Sequence, residues 1–307
     1  MSSTIRIATR QSRLALWQAE HVAALLRAAH PDLEVTLVPM TTQGDRILDR
    51  ALSDVGGKGL FIKELELAMA ENRADIAVHS MKDVPSELPE GMCLGAMLPR
   101  TDPRDAFVSN RFGSFDALPQ GARVGTSSLR RQSQLLAARS DLEIVTLRGN
   151  VDTRLRKLDE GQYDAIILAA AGLLRLDLEE RITHYIDLER SVPAVGQGII
   201  GIECRSADAH SIERIAKLND AQAWKCCEAE RSFAERLQGS CQSPIGGFAD
   251  ICDGQLQLRG VIASPDGREL YRGNNAGSPQ DAKNLGRALA ERLLAAGAAA
   301  LLERLRH

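Results

Sequence analysis

From Ile5 to Cys204 the chain alternates short β-rich runs with amphipathic helical stretches, and twice a proline-bearing crossing interrupts the alternation. That pattern demands parallel sheets covered by helices, because parallel strands can be joined only through a long crossover. The first series is IRIAT, a helix from about Ser12 to His30, EVTLVPM, a helix from about Leu60 to Asn72, and DIAVHS. LPRTDPRD (Leu98 to Asp105) then reads as a crossing linker. The second series is RVGTS, a helix from about Leu129 to Arg139, EIVTL, a helix from about Val151 to Glu160, and DAIILA leading into another helix. SVPAVGQG (Ser191 to Gly198) is the second crossing, after which IIGIEC reads as one more buried strand. Two crossings predict two lobes with a cleft between them. From about Ala221 the texture changes to a helix, three antiparallel-looking strands and a long Ala/Leu helix from about Ser278, a small α+β domain.

Composition narrows the partners. A net charge of −3 argues against a general binder of nucleic acid or anionic membrane, and 4% aromatic content argues against base-stacking platforms. Met1 to Arg10 runs straight into a strand-like TIRIAT, and no apolar run reaches membrane-spanning length, so the expectation is a cytoplasmic protein. The six cysteines show neither CxxC pairs nor zinc-ligand spacing, so no metal site is expected. Of the 38 basic residues 31 are arginine, which reflects either general composition or a ligand rich in carboxylates; their placement decides.

The placement is informative. Arg10 and Ser12 follow the first strand, and Lys82 and Asp83 follow DIAVHS. Thr126, Ser127, Ser128, Arg130 and Arg131 follow RVG, while Arg148 and Asn150 follow EIVTL. Each cluster lies at the C-terminal end of an expected strand, the edge where open α/β sheets bind ligands and where helix N-termini offer free N–H groups to anions. Taken singly, each cluster is better explained by helix caps and surface arginines; four together favour an anion site. Arg154 and Arg175, on helices behind the same edge, could extend it. Asp83 reads equally as an ion-pair partner or as a carboxylate that stabilises a cation. The segment Thr41 to Gly59 reads as a loop over the site, and its GGKG, with Lys58, lacks the spacing of a phosphate-binding loop. Cys241, in the Gly/Ser/Pro loop LQGSCQSPIGG, is on spacing alone better read as an inert thiol, and Cys226 and Cys227 as core residues of a helix.

The motifs RIATRQS, VGGKGLF, DIAVHSMKDVP, DPRDAFVS, VGTSSLRRQ, LRGNVDTRL, YDAIILAAAGL, PAVGQG and GSCQSPIG, in this order along nearly the whole chain, resemble those of the porphobilinogen deaminase family. The resemblance implies two periplasmic-binding-protein-like lobes with mixed, largely parallel sheets and a small α+β C-terminal domain. On this chain these would be residues 1–99 with 199–218, residues 104–193, and residues 220–307. It implies a monomeric transferase, hydroxymethylbilane synthase, that condenses four porphobilinogens head to tail with loss of ammonia on a dipyrromethane primer, then releases the linear tetrapyrrole by hydrolysis. By the match GSCQSPIG the primer is held through a thioether to Cys241.

The family's catalytic aspartate falls on Asp83. Residues contacting the primer fall on Lys82, Asp83, Thr126, Ser127, Ser128, Arg130, Arg131, Arg148 and Gly149; those contacting porphobilinogen and the growing oligopyrrole fall on Arg10, Ser12, Arg148, Arg154 and Arg175; Lys58 belongs to the loop. Arg13 stands where the family often has proline, and Ser243 where it has a small apolar residue. The alternative reading is a non-catalytic, two-lobed protein that binds a carboxylate ligand.

Overall fold

A computed structural model describes residues 4–46, 61–238 and 243–305. These fall into two compact units, residues 4–46, 61–101 and 198–224, and residues 102–197, 225–238 and 243–305.

The first unit is built on strands β1 (Thr4–Arg10), β2 (Glu34–Met40), β3 (Ile76–Ser80), β4 (Met92–Met97) and β10 (Ile200–Arg205), in the order β2-β1-β3-β10-β4. β1 is parallel to β2 and β3, whereas β10 is antiparallel to both of its neighbours. Ile5 and Ile7 on one face of β1 pack with Ala19, Val22 and Leu26 of helix α1 (Arg13–Ala29), while Ala8 on the other face meets Leu65, Ala68 and Met69. With both faces covered the strand is buried continuously over Ile7, Ala8 and Thr9, while Arg6, before them, is partly exposed and pairs with Asp75.

In the second unit β5 (Asp105–Val108), β6 (Arg123–Gly125), β7 (Glu143–Val145), β8 (Ala165–Ala169) and β9 (His184–Ile186) run in the order β7-β6-β8-β5-β9. The pattern repeats that of the first sheet: three parallel strands, then one antiparallel strand that enters through a crossing, then an antiparallel edge. Phe107, Val124 and Ile167 face one core and Ala106, Ile166 and Leu168 the other.

The C-terminal part is a three-stranded antiparallel sheet, β11 (Ile245–Cys252), β12 (Gln255–Ala263) and β13 (Leu270–Gly277), packed on helices Ala221–Arg236 and Ala282–Leu293. Phe233 fills the space that Gly260 leaves, where a Cβ would lie 2.6 Å from its ring. Cys226 and Cys227 are core residues, as expected.

Two expectations are corrected. The C-terminal helix does not run unbroken from Ser278: a 3₁₀ turn at Pro279–Asp281 precedes it, and Gly297 at φ +120 interrupts it before Ala299–Arg304, because that backbone conformation lies outside the helical region. The stretch read as a loop from Thr41 begins with a helical turn, Gln43–Arg46. Lys58 and the whole of GGKG lie outside the described residues, as does Cys241.

Candidate active site

In the first unit, β1 ends at Arg10 and the chain turns into α1, whose N-cap is Ser12; its Oγ accepts a hydrogen bond from Ala15 N at 3.4 Å. The Arg10 guanidinium lies over the Phe61 ring, 4.3 Å from its centroid, and donates to the carboxylate of Asp45, with Nε 3.1 and 3.2 Å from the two oxygens. Burial works against the charge of Asp45, but bonds from Arg10 and Thr42 outweigh it and hold the carboxyl below its ordinary value. Arg10 is thus already neutralised by a carboxylate of its own unit.

β3 ends at Ser80, where Gln18 Nε2, buried on α1, donates to Ser80 Oγ at 2.9 Å. The strand runs directly into a 3₁₀ turn, Met81–Asp83, anchored by the buried Met81 side chain and by Met81 N donating to Ile199 O at 3.0 Å. Lys82 and Asp83 are half-buried on this turn. Among the described residues, no ion pair or side-chain hydrogen bond ties up the Asp83 carboxylate.

In the second unit the turn after β6 is stitched to the turn after β7. Thr126 N donates to Val145 O, Ser127 Oγ donates to Leu147 O at 2.7 Å, and Leu147 N donates back to Ser127 Oγ at 3.1 Å. Ser128 N-caps the helix Leu129–Ala138, accepting from Arg131 N at 3.4 Å, the same device that Ser12 supplies in the first unit.

Arg130 and Arg131 both turn inward onto Asp105, the first residue of β5, which is wholly buried. Arg130 bridges both carboxylate oxygens through Nη1 and Nη2 at 2.8 and 3.1 Å, and Arg131 reaches Oδ1 through Nε and Nη2 at 3.0 and 2.8 Å. Ser191 Oγ and Gln197 Nε2, both from the second crossing, add 2.8 and 3.1 Å bonds to the same carboxylate. Burial alone would push the Asp105 carboxyl up; the two guanidiniums overwhelm it and hold the group ionised far below the usual carboxylate range. Two arginines on one aspartate leave the cluster with one net positive charge.

Arg148 follows β7 and is buried; burial pulls its pKa down. Gly149, at φ +117, turns the chain where a Cβ would lie 2.6 Å from Thr153 Cγ2, so only glycine fits. Asn150 caps the helix Val151–Asp159, and Arg154 Nε donates to Gly149 O at 2.8 Å. Arg175, at the end of the short helix Ala170–Leu174 that follows β8, is buried, and burial lowers its pKa to about 10. A guanidinium held in such surroundings gains more from an anion than one in water does.

Arg10, Ser12, Lys82, Asp83, Thr126, Ser127, Ser128, Arg148 and Gly149 therefore stand in the turns at the C-terminal edge of the parallel strands of their own sheets, and Arg130, Arg131, Arg154 and Arg175 on the helices that follow those turns. The residues that sequence reasoning missed are their partners. Asp45, Asp105 and Gln18 lie 35, 25 to 26 and 62 positions from what they hold. Gln18 alone carried a signal, as a polar residue on the apolar face of its helix.

Two family models match the chain: "Porphobilinogen deaminase, dipyromethane cofactor binding domain" over residues 5–213, and "Porphobilinogen deaminase, C-terminal domain" over residues 224–295. Among solved structures, the chain is similar to a putative methionine-binding lipoprotein from Bacillus subtilis, with 10% identity, TM-score 0.44, and 70% of this chain and 90% of that one covered. It is also similar to the methionine-binding protein MetQ (15%, 0.46, 73% and 90%) and to a periplasmic substrate-binding protein of an ABC transporter from Coxiella burnetii (13%, 0.45, 70% and 91%). What those proteins bind is a property of theirs. With both models in chain order and the first alone spanning well over half of the residues, the chain belongs to the porphobilinogen deaminase family.

Proposed function

We propose that this protein is a hydroxymethylbilane synthase in which Asp83 is the catalytic carboxylate, Cys241 the attachment point of the dipyrromethane, and the strand-edge arginines the cradle for its carboxylates. The observation that carries the reading is the position of Asp83 and the arginines, each on the turns and helices that follow the C-terminal ends of the parallel strands of its own sheet, with the cations concentrated in the second unit and, in the first, a carboxylate that no described side chain pairs.

The described residues suit such a primer. Each of its pyrroles bears an acetate and a propionate, and the buried Arg148 and Arg175, the net positive Asp105–Arg130–Arg131 cluster, Arg154, Lys82 and the hydroxyls of Thr126, Ser127 and Ser128 are donors for those groups. Arg131 spends three N–H groups on Asp105 and Ile167 O, which leaves two of its five for a ligand. Gly149 allows the backbone to pass close to a bound carboxylate. When bound, the dipyrromethane would supply the free α-carbon to which the first porphobilinogen is joined, and would stay on the protein after hydrolytic release of the product.

Asp83 acts on the incoming porphobilinogen. As the aminomethyl C–N bond breaks, the electron pair leaves with ammonia and a cation is left on the substrate's pyrrole. A carboxylate accepting the pyrrole N–H stabilises that cation and can take up the proton released when the new C–C bond forms. Arg10 and Ser12 serve the substrate's carboxylates, and for Arg10 this requires release from Asp45 or a shared carboxylate. The protein works on small molecules as a cytoplasmic monomer. A purely binding protein would have no need of the family's C-terminal domain at residues 224–295.

Intact-mass analysis tests the assignment. The wild-type protein should carry an added mass equal to two deaminated porphobilinogen units, and Cys241→Ser should lack it. An unmodified wild-type protein that still makes product overturns the attachment.

A further inference from the structure

Cys93 on β4 and Cys204 on β10 are directly opposed in an antiparallel pair, with their sulfurs 3.7 Å apart. Both are free thiols, Cys93 half-buried on the edge strand of the sheet and Cys204 wholly buried on its inner neighbour. Opposed Cβ atoms in such pairs lie roughly 4.5–5.5 Å apart, while a disulfide brings them to roughly 3.5–4.5 Å, so joining them asks for a local adjustment only. The ladder has room for one, because the register shifts between Ile202 and Glu203, beside the pair. The two thiols are not equivalent. Burial first, and the neighbouring Cys93 second, push the Cys204 thiol up to about 12, so it stays protonated, whereas Cys93 is within reach of solvent.

We infer that Cys93 and Cys204 form a dithiol/disulfide couple oxidised by hydroperoxides, with Cys93 as the attacking and Cys204 as the resolving thiol. The Cys93 thiolate attacks one peroxide oxygen; the S–O bond forms, the O–O bond breaks, and the other oxygen leaves as hydroxide and becomes water. Cys204 then attacks the Cys93 sulfenic acid; the S–S bond forms, the S–O bond breaks, and the proton of Cys204 leaves with the hydroxyl as a second water. Two electrons pass from the thiols to the peroxide. The link fastens the strand pair from which both crossings spring: β4 leads into the first crossing, β10 emerges from the second, and Leu98 N to Ile200 O (2.9 Å) and Thr101 N to Gly198 O (3.0 Å) continue their pairing there.

The test is non-reducing peptide mapping of the holoenzyme after hydrogen peroxide treatment and alkylation under denaturing conditions. The expected result is a joined pair of peptides containing Cys93 and Cys204, lighter by two hydrogen atoms than their sum. Dithiothreitol should restore both thiols, and amide exchange along β4 should slow at least several-fold in the oxidised form. Cys93→Ser and Cys204→Ala should each abolish the joined pair while leaving turnover of the reduced enzyme unchanged. Cys93 recovered as sulfinic acid beside an alkylated Cys204, or both alkylated after the exposed Cys252 has been oxidised, overturns the inference.

Discussion

The two five-stranded sheets share one topology and one local device, yet they hold opposite chemistry at the same edge. Each has three parallel strands and a fourth inserted antiparallel from a crossing, and in each a serine caps the helix after the central parallel strand. At the first sheet Arg10 is matched by Asp45, and among the described residues no ion pair or side-chain hydrogen bond holds the Asp83 carboxylate. At the second, two arginines share Asp105, and Arg148 after β7 and Arg175 at the end of the helix after β8 are also buried. Topology therefore fixes where functional groups stand, and the ratio of charges around each turn fixes what they can do.

The sharpest way to break this division is to neutralise one group from each sheet. Asp83→Asn keeps the shape and removes the charge that stabilises a cation, so kcat should fall by about 10²–10⁴-fold with the primer still attached and the unfolding transition unchanged. Arg148→Leu should do the reverse in kind, leaving little or no attached primer by intact mass, because it removes a buried guanidinium that we assign to the primer's carboxylates. If Asp83→Asn instead loses primer and Arg148→Leu keeps both primer and turnover, the assignment of chemistry to one sheet and anion binding to the other fails.

A second prediction concerns stability. Asp105→Ala leaves two buried guanidiniums without their carboxylate, and such uncompensated charge costs about 3–5 kcal/mol, measurable by urea denaturation. Removal of the part-exposed Asp45, with side-chain exposure of 21%, should cost no more than about 1 kcal/mol. Asp105 also sets a pH dependence. Its folded pKa lies below the unfolded value, so its stabilisation is complete above the ordinary carboxylate range, near pH 4, and fades as pH falls through that range and below. The difference in stability between wild type and Asp105→Ala should therefore be flat at neutral pH and shrink in acid. A difference that holds constant down to pH 2 would mean that the cluster does not rest on this charge.

The contrast between sheet and partner also explains what was legible in the sequence. Periodicity revealed the helices at Arg13–Ala29, Leu129–Ala138 and Val151–Asp159 to within a residue or two, because apolar spacing and serine or asparagine caps are local signals. It also placed Arg10, Asp83 and Arg148 at strand ends. It could not show that Arg130 and Arg131 point inward, since their partner Asp105 sits at the end of a segment that reads as a charged linker. Ion pairing between distant turns leaves no periodic trace. The break at Gly297 was missed for a related reason: a lone glycine in an Ala/Leu run is compatible with a helix until tertiary packing sets its φ.

The smallest expected effect tests the shared device itself. Ser12 and Ser128 each accept an N-cap bond of 3.4 Å, longer than an ordinary N–H···O bond, so Ser→Ala at either position should cost about 0.5–1 kcal/mol, and equally in the two sheets. Glycine separates the cap from any ligand contact, because Ser→Gly at an N-cap costs only a few tenths of a kcal/mol while it also removes the hydroxyl. If the serines serve ligands as well as helices, Ser12→Gly should keep its unfolding midpoint and raise KM for porphobilinogen several-fold, and Ser128→Gly should keep its midpoint and lower primer occupancy by intact mass. Unchanged KM and occupancy in the glycine variants, with the stability loss confined to the alanine ones, would make both serines caps alone, and the sheets would then differ in their charged residues only.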